Sequence, residues 1–545
     1  MKDGILKSKT SPFSTLLVLE LIAIVVFAVI PLLVDLPYRI NIFLAWEGAY
    51  RLYLGQIPFK DFGLPLGYGF WLIPALFFKI FGPYFFTLIK AQVFINILNG
   101  IVFSSLLKIL GVKPSHKFIA VLLFVISYSF INFWPWYNHT VFFYQLLSMY
   151  FLVLVLFRYN KGFRYYAFIL LSALFLFLSL FTKQDGGAFA FCITFFILVY
   201  HSIIQKNIKV SLTYWVAVGL VAAIIIVPLI KYDFGYWFNY GQPPHTSRLF
   251  LADILHDIFR GSHWIKFYIL VIVILVMLRY KTLLDFVKDK QKFTFFLITL
   301  GILVQAMLVQ VTSYIPHNVN IYFHSFAIAF IISNLDVEGI LEKKLNLTLI
   351  IILLTFWWSA DFWVYGQRIL NKIAPGIMHA DRDGVVSKHT WMVQEDTVKV
   401  SRHDWVAIEG MPAFKNILMP PSTAEGIKRL SNIPNINYEE AKVLNMSELT
   451  PLSYELGFTP ETGTDIPLWY HKDVALFERE IEMYIDKIER NYYDLVLFES
   501  IDYLNGFYPQ EIKDALDSHE SYELIDTFLA PRQIQNSHIY VYMKK

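Results

Sequence analysis

Apolar residues along this chain occur in long blocks that are separated by short polar segments. The blocks are about 17–25 residues long, the length at which a helix crosses about 30 Å of hydrocarbon. About eleven such blocks can be proposed before residue 361, among them residues 14–34, 85–110, 165–181, 212–230 and 293–311. The pattern therefore predicts a polytopic α-helical membrane protein.

The pattern changes after residue 364. Four short runs rich in β-branched and aromatic residues, "AKVLNM", "YDLVLFES", "YELIDTFLA" and "HIYVYM", alternate with polar segments. Residues 473–491, "DVALFEREIEMYIDKIERN", repeat apolar positions at helical spacing. We therefore predict a transmembrane domain over residues 1–364 and an α/β domain over residues 365–545.

Lysine and arginine collect in the loops on one side of the proposed spans. These basic loops are residues 111–117, 158–164, 204–209, 279–292 and 341–344. Lysine and arginine are enriched in short cytoplasmic loops. The distribution of basic loops therefore predicts that the spans cross the plasma (inner) membrane and that the N-terminus lies in the cytoplasm. Two long loops, residues 35–84 and 231–263, and the α/β domain then lie outside. This topology requires that the short segment 66–81 does not cross.

The composition agrees with a membrane protein and restricts the classes of molecule that it binds. Of the 545 residues, 56% are hydrophobic and 16% are charged, more apolar side chain than a soluble core of this size can bury. The net charge is +3, and topology accounts for the basic residues, so the sequence indicates a lipid bilayer as partner and no nucleic acid. The single cysteine, Cys192, excludes an intrachain disulfide.

Polar residues gather on the outer side of the predicted membrane. A transporter usually carries its ionisable groups near the bilayer midplane instead. The outer candidates are Glu47, Lys60 and Asp61 in the first loop, Asn138 and His139 in "WYNHT", Lys183 in "TKQDGG", Arg248 and Arg260 in the second long loop, and His317 in "YIPHN". We expect these side chains to converge on one cavity at the outer interface.

Residues 45–82, "AWEGAYRLYLGQIPFKDFGLPLGYGFWLIPALFFKIFG", resemble the first outer loop of the GT-C superfamily of membrane glycosyltransferases. The likeness is to the branch that holds protein O-mannosyltransferases and aminoarabinose transferases. It rests on an acidic residue, a helix that ends in glycine, the "PFKDF" segment and a short helix that ends in "FG". The predicted topology is similar too, and the resemblance covers about residues 14–360.

The resemblance implies an inverting transferase that takes a sugar from a polyprenyl-phosphate donor and passes it to a glycan, lipid or protein acceptor. Such a reaction needs a carboxylate as general base, for which the chain offers Glu47 or Asp61. It also needs cations for the departing phosphate, and Lys60, Lys183, Arg248 and Arg260 are the candidates. Asn138, His139 and His317 are candidates for further substrate contacts. Relatives usually have an Asp-Glu pair where this chain has Trp46-Glu47, which leaves both carboxylates open.

Simpler interpretations of these residues stay open. Asp61 beside Lys60 also fits a solvated turn, and Glu47 also fits a residue that solvates a juxtamembrane helix. Asp185 in "TKQDGG" fits the N-terminus of a helix. No motif requires a cofactor, but Asp253, His256 and Asp257 are spaced to share a helical face, on which a divalent cation is an alternative.

Two other classes of function remain as alternatives. The first is a transporter or flippase for a lipid-linked glycan, which Lys90, Gln92, Asn96 and Asn99 within one predicted span keep open. The second is a membrane anchor for the α/β domain, which would itself bind a partner. The one-sided clustering of charge and the pattern in residues 45–82 favour the glycosyltransferase.

Overall fold

The structure of the protein is a computed structural model. It describes residues 12–38, 42–129, 133–241, 255–256, 258–259, 262–313, 322–335, 338–341, 343–357, 365–366, 368–370, 372–374, 400, 404–468, 470, 476–501, 508–532 and 537–545. Statements about the structure concern these residues.

The N-terminal two thirds of the chain form a bundle of apolar helices. The helices are α1 (Pro12–Val29), α2 (Ile42–Tyr53), α3 (Leu72–Phe81), α4 (Phe85–Ile109), α5 (Pro114–Ser129), α6 (Tyr137–Phe157), α7 (Phe163–Leu180), α8 (Gln184–Gln205), α9 (Lys209–Ile226), α10 (His263–Arg279), α11 (Leu283–Lys288), α12 (Lys290–Ser313), α13 (Phe323–Asn334), α14 (Glu338–Leu341) and α15 (Lys344–Trp357).

Seven of the described segments are long and apolar enough to cross a membrane, namely Thr15–Leu33, α4, α6, α7, α8, α9 and Lys290–Val309. Four shorter helices, α5, α10, α13 and α15, are also largely apolar. The described part of the chain thus has seven helices long enough to cross a membrane, together with shorter apolar helices. The fold class predicted from the sequence, a polytopic helical membrane protein, is confirmed.

The outer surface of the bundle carries many exposed apolar side chains. On α9, Leu212, Val216, Leu220 and Ile224 follow one another at intervals of four residues, and each is more than half exposed. Such a stripe is costly in water but not among lipid chains, because lipid tails are as apolar as leucine. This face of the bundle is therefore a lipid-facing one.

One buried ion pair lies within the bundle. Lys117 Nζ of α5 is 3.0 Å from Glu20 Oε1 of α1 and donates to Ser104 Oγ of α4 at 2.8 Å. Charges within membrane spans are stabilised when they face the bundle interior and pair with one another. The three side chains thus tie α1, α4 and α5 together.

The first loop returns to the bundle through two short helices. A 3₁₀ turn, Tyr68–Trp71, leads into α3, whose 10 residues span roughly 15 Å. That length is about half the thickness of the hydrocarbon layer. Together with the turn, α3 is a short apolar helix packed against α2 and α4, and that residues 66–81 do not cross stays a prediction.

The C-terminal part is an α/β domain, as the sequence predicted. The strands are β1 (Leu36–Pro37), β2 (Val406–Ala407), β3 (Ile417–Met419), β4 (Val443–Met446), β5 (Leu495–Glu499), β6 (Tyr522–Leu529) and β7 (His538–Lys544), and the helices are α16 (Pro421–Leu430), α17 (Leu452–Leu456), α18 (Phe477–Glu489) and α19 (Gln510–Ser518). The main sheet has the order β4-β5-β7-β6, with β4 parallel to β5 and β7 antiparallel to both its neighbours. All four β-rich runs of the sequence form its strands.

The first loop and the C-terminal domain share one hydrophobic core. Strand β1, from the beginning of the first loop, pairs in parallel with β3 of the C-terminal part. Trp46 of α2 and Phe85 of α4 are buried in the same cluster as Phe414 and Leu444, and the rings of Phe85 and Phe414 are 5.8 Å apart. The C-terminal domain is therefore docked on the end of the bundle that carries the first loop.

Candidate functional site

The turn that contains Lys60 and Asp61 is closed by the aspartate itself. Asp61 Oδ2 accepts the backbone N–H of Ile57 at 2.7 Å, and Lys60 Nζ is 3.9 Å from Asp61 Oδ1. Phe59 takes a φ of 66°, which is an uncommon conformation for a bulky side chain. The Asp61 carboxylate thus organises the turn, and the Lys60 side chain, about half exposed, remains accessible to solvent.

Three distant segments hold this turn in place. They belong to the C-terminal domain, to the segment that precedes the second long loop, and to the turn between α7 and α8. The hydrogen bonds are Gly63 N to Ile466 O at 2.9 Å, Leu468 N to Gly63 O at 2.9 Å, Asp233 N to Phe59 O at 3.0 Å, and Gln184 Nε2 to Pro65 O at 3.3 Å. The turn is consequently a junction where four parts of the chain meet.

Glycine is required where the first loop meets α7. A Cβ atom on Gly67 would lie 1.5 Å from the carbonyl oxygen of Phe181, which is backbone and has no rotamer by which to move aside. Two residues further on, Tyr144 of α6 donates to the carbonyl of Gly69 at 2.9 Å. The loop therefore packs directly on the ends of α6 and α7, and this brings the junction close to Lys183.

Glu47 forms a buried ion pair with Arg51, one turn further along α2. Arg51 donates from Nε at 3.0 Å and from Nη2 at 2.9 Å, both to Oε1 of Glu47, and from Nη1 to the carbonyl of Glu461 at 2.8 Å. Burial raises the pKa of the Glu47 carboxyl, and the charge of Arg51 opposes that rise. Glu47 and Arg51 also line a cavity of about 30 Å³ beneath the C-terminal domain.

Arg51 was not among the candidates from the sequence. The available signal was its spacing of four residues from Glu47 on a predicted helix, at which acidic and basic side chains meet. Its guanidinium carbon is 5.2 Å from the ring centroid of Phe62, the residue that follows Asp61. The structure thus brings the two candidate carboxylates, Glu47 and Asp61, to the same part of the molecule.

Lys183 lies in the turn that leads into α8. Its Nζ is 3.0 Å from Asp185 Oδ2 and 5.5 Å from the ring centroid of Tyr137. Asp185 is in the first turn of α8, where its Oδ1 accepts the N–H of Gly186 at 2.6 Å, as expected for an acidic residue at a helix N-terminus. A cation thus lies beside the first residue of α6.

Asn138 and His139 are buried in the first turn of α6. The hydroxyl of Tyr128, at the end of α5, donates to the carbonyl of His139 at 3.0 Å, and the ring of Trp136 stacks on the His139 ring at 5.6 Å. Among the described residues, Asn138 Oδ1 has no hydrogen-bond partner. Tyr128 was not a candidate from the sequence, because a tyrosine at a helix end is ordinarily an interfacial residue.

The other predicted site residues contribute less. Arg248, Arg260, His317, Asp253 and Asp257 lie outside the described residues. His256 is described and exposed. Within the described ranges, no group of three or more His, Cys, Asp or Glu side chains could hold a metal ion. The divalent-cation site considered from the sequence is therefore left as an expectation.

A buried carboxyl joins the C-terminal domain to the segment before the second long loop. Glu480 of α18 accepts a hydrogen bond from the hydroxyl of Tyr236, in the 3₁₀ segment Phe234–Gly241. Burial raises the pKa of Glu480 to about 7. The carboxyl is therefore more readily protonated in the folded protein than in the unfolded chain.

The raised pKa of Glu480 makes its contact with Tyr236 sensitive to pH, and Glu480→Gln is expected to remove that sensitivity. Because the pKa of Glu480 is higher in the folded protein than in the unfolded chain, the neutral carboxyl stabilises the fold. This contribution to the free energy of unfolding is complete below the unfolded pKa of 4.5 and is lost as the pH rises to about 7. At pH 8 the variant should be more stable than the wild type by up to about 3 kcal/mol, with little difference at pH 4. Hydrogen exchange of α18 amides at both pH values measures the difference.

Glu482 supplies the matched control for this experiment. It lies two residues further along α18 and is exposed, so the same change to glutamine there should leave the pH dependence as it is in the wild type. An equal gain from Glu480→Gln at pH 4 and pH 8 would contradict the assignment of the pH dependence to this carboxyl.

The fold, a bundle whose first loop and C-terminal α/β domain dock together at one end, is similar to that of ArnT, an aminoarabinose transferase with the GT-C fold. Two solved structures share it across almost the whole length. ArnT from Cupriavidus metallidurans in the apo state has 9% sequence identity and a TM-score of 0.54, and the same protein bound to undecaprenyl phosphate has 10% identity and a TM-score of 0.51. Each alignment covers 97% of this chain and 98% of the other. No protein-family model and no curated protein matches the chain.

Proposed function

We propose that the protein is an integral-membrane glycosyltransferase that transfers a sugar from a polyprenyl-phosphate donor to a glycan, lipid or protein acceptor. The observation that carries the proposal is that the first loop, with Glu47, Lys60 and Asp61, packs at one end of an apolar bundle against the turn that carries Lys183. The shared fold supports it, because the similar ArnT structure holds undecaprenyl phosphate. We further propose the plasma (inner) membrane as location, with the N-terminus in the cytoplasm and the α/β domain outside.

The proposed reaction is a single inverting displacement. The acceptor hydroxyl attacks the anomeric carbon of the sugar, its proton passes to Glu47, and the bond between that carbon and the phosphate oxygen breaks. The electron pair leaves with polyprenyl phosphate. Burial favours Glu47 as the base, because a carboxylate with a raised pKa binds a proton more strongly. Asp61, whose carboxylate closes the turn, is the second candidate.

Cations hold the leaving phosphate in this mechanism. Lys183 is fixed by Asp185 and by the ring of Tyr137, so it stabilises negative charge without rearrangement. Lys60 is half exposed, which suits capture of a charged head group at the membrane surface. Arg248, Arg260 and His317 remain proposed contacts to the phosphate or to a substrate, as do Asn138 and His139.

The purified full-length protein, reconstituted in liposomes, tests the proposal. Undecaprenyl phosphate carrying radiolabelled sugars is offered with a membrane-lipid and cell-wall extract as acceptor. We expect release of undecaprenyl phosphate together with a new glycosidic bond on the acceptor. Movement of the labelled lipid across the bilayer without a new bond would instead identify a transporter. A parallel assay with EDTA tests the cation considered at Asp253, His256 and Asp257, which the mechanism does not use.

A further inference from the structure

Helix α4 carries a row of amide side chains inside the bundle. Gln92, Asn96 and Asn99 are spaced by four and three residues, so they lie on one face of the helix, and each is at most 2% exposed. The surrounding positions of α4 are largely apolar. Gln92 and Asn96 lie in the half of α4 that begins at Phe85, next to the C-terminal domain, and Asn99 lies just beyond the midpoint of the helix.

The row offers hydrogen-bonding atoms that the protein does not use. Gln92 Nε2 donates to Asn96 Oδ1 at 2.8 Å, which leaves the oxygen of Gln92 and the nitrogen of Asn96 unpaired among the described residues. An acceptor and a donor are thus presented one helical turn apart. Buried polar atoms are almost always paired in folded proteins, so such a pair indicates a polar ligand or water.

The start of α6 extends this polar surface. Asn99 lies beside the hydroxyl of Tyr128, and that hydroxyl donates to the carbonyl of His139. Asn138, the preceding residue, is 5% exposed and presents an unpaired oxygen. The indole N–H groups of Trp134 and Trp136 likewise have no acceptor among the described residues. Buried donors and acceptors without partners among the described residues therefore occur on α4 and at the start of α6, two helices that pack against each other.

The region is polar but carries no formal charge on these side chains. The amides of Gln92, Asn96, Asn99 and Asn138 both donate and accept, which is the requirement of hydroxyl groups. The charged residue nearest to the row along α4, Lys90, points elsewhere, with its Nζ 4.4 Å from the ring centroid of Phe81. An ammonium or carboxylate group would be costly to bury without a counter-charge, so the chemistry favours a neutral polyhydroxyl ligand.

We propose that Gln92, Asn96, Asn99 and Asn138 form the subsite for the sugar ring of the donor, and that this sugar is uncharged. The inference rests on the proposed function and specifies its substrate class. Lys183 supports this placement, because it lies over Tyr137, the residue before Asn138. A phosphate at Lys183 would therefore lie beside the first turn of α6, which carries Asn138. Aromatic rings beside amides are a common composition for a site that binds a small polar molecule.

Equilibrium binding to the full-length protein in nanodiscs tests the subsite with three probes. They are undecaprenyl phosphate alone, undecaprenyl phosphate carrying a neutral hexose, and undecaprenyl phosphate carrying an amino sugar. The wild type should bind the neutral-hexose lipid at least about tenfold more tightly than the other two. Asn96→Leu, which keeps the shape and removes the hydrogen bonds, should cost about tenfold for the neutral-hexose lipid alone.

A second variant and a control separate binding from folding. Asn96→Asp introduces a carboxylate of the same shape and should shift the preference about tenfold towards the amino-sugar lipid. Asn334→Leu removes a buried amide at the C-terminal end of α13, where Asn334 Nδ2 donates to the carbonyl of Phe330, and should change none of the three affinities.

The binding results distinguish failure of the subsite from failure of the proposed function. Equal changes for all three lipids in Asn96→Leu would mean that the row is structural, and unchanged affinities would mean that it holds water only; both results overturn the subsite. Tightest wild-type binding of the amino-sugar lipid would overturn the claim of an uncharged sugar. Absence of binding to any of the three lipids would instead refute the proposed function, so the two failures are distinguishable.

Discussion

Glu47→Gln is expected to lower the rate of sugar transfer by about 10²- to 10⁴-fold, the usual contribution of a general base. Glutamine has nearly the shape of glutamate and its oxygen can still accept the hydrogen bonds of Arg51, but it cannot take a proton from the acceptor. The loss should therefore appear in kcat, with the affinity for undecaprenyl phosphate unchanged. The measurement is transfer from labelled lipid donor at saturating acceptor, with donor binding determined in parallel.

The pH dependence gives a second test of the same residue. The wild-type rate should rise with pH through the raised pKa of Glu47, because only the ionised carboxylate can accept a proton. The variant should lose that rising limb. A structural role for Glu47 would lower the rate equally at every pH and leave the limb in place.

Asp61→Asn is the matched comparison in the first loop. An asparagine oxygen still accepts the N–H of Ile57, so the turn should survive the change. If Glu47 is the base, this variant should retain transfer to within about threefold. A large loss in Asp61→Asn together with normal transfer in Glu47→Gln would make Asp61 the base, and normal transfer in both would remove both carboxylates from the chemistry.

Arg532→Met is expected to destabilise the C-terminal domain by about 3–5 kcal/mol, the cost of leaving a buried charge without its partner. Arg532 donates to both carboxylate oxygens of Glu448 at 2.6 Å, and Glu499 Oε2 accepts the N–H of Glu448 at 2.7 Å. Both glutamates are at most 1% exposed. Hydrogen exchange of the β4 and β5 amides should accelerate by about 10²- to 10³-fold.

The loss of stability in Arg532→Met is expected to grow as the pH rises. Burial already raises the pKa of Glu448 and of Glu499, and removal of the arginine raises both further. Groups with raised pKa values stabilise the fold in their neutral form at low pH and lose that contribution as the pH rises. The difference between Arg532→Met and the wild type should therefore be larger at pH 8 than at pH 5.

Two further variants separate the buried pair from a general loss of charge. Glu448→Gln combined with Arg532→Met should recover part of the stability, because one buried charge is removed with its partner. Arg490→Met breaks an exposed pair with Asp486 on α18 and should change stability by less than about 1 kcal/mol. An effect of Arg490→Met as large as that of Arg532→Met would contradict the explanation by burial.

The docking of the C-terminal domain connects this stability to the proposed site. The hydroxyl of Tyr38, just before α2, donates to the backbone carbonyl of Glu448. Arg51 reaches the carbonyl of Glu461 on the same domain. Loosening of the domain by Arg532→Met should consequently weaken the support of the Glu47–Arg51 pair, which links the second prediction to the first.

Local patterns in the sequence were sufficient for the elements of the fold. Blocks of apolar residues predicted the spans, and the four β-rich runs became β4 to β7. The position of Asp185 at the start of α8 was also predictable, because helix N-termini favour acidic side chains within one turn. In each case the determining interaction lies within the segment or between the segment and its solvent.

The candidate site was predictable only in part. Lys60, Asp61, Lys183, Asn138 and Glu47 were named from the sequence, and the structure places them around one end of the bundle. Their partners were not foreseen, since Arg51 meets the carbonyl of Glu461 across 410 positions of the chain. The amides of α4 were noted only as an argument for transport, and their burial beside α6 gives them a different meaning.

The sequence by itself determined that this is a membrane protein, where its helices and strands lie, and which residues are able to carry charge chemistry. Hydrophobic length and periodicity decide these properties, because they depend on the transfer of each segment from water to lipid or to a core. Only the tertiary structure decided that Asp61 closes a turn, that Glu47 is buried against Arg51, and that amides of α4 and α6 are buried where these two helices pack together. Those properties arise from contacts between segments that are far apart along the chain, and no local pattern encodes them.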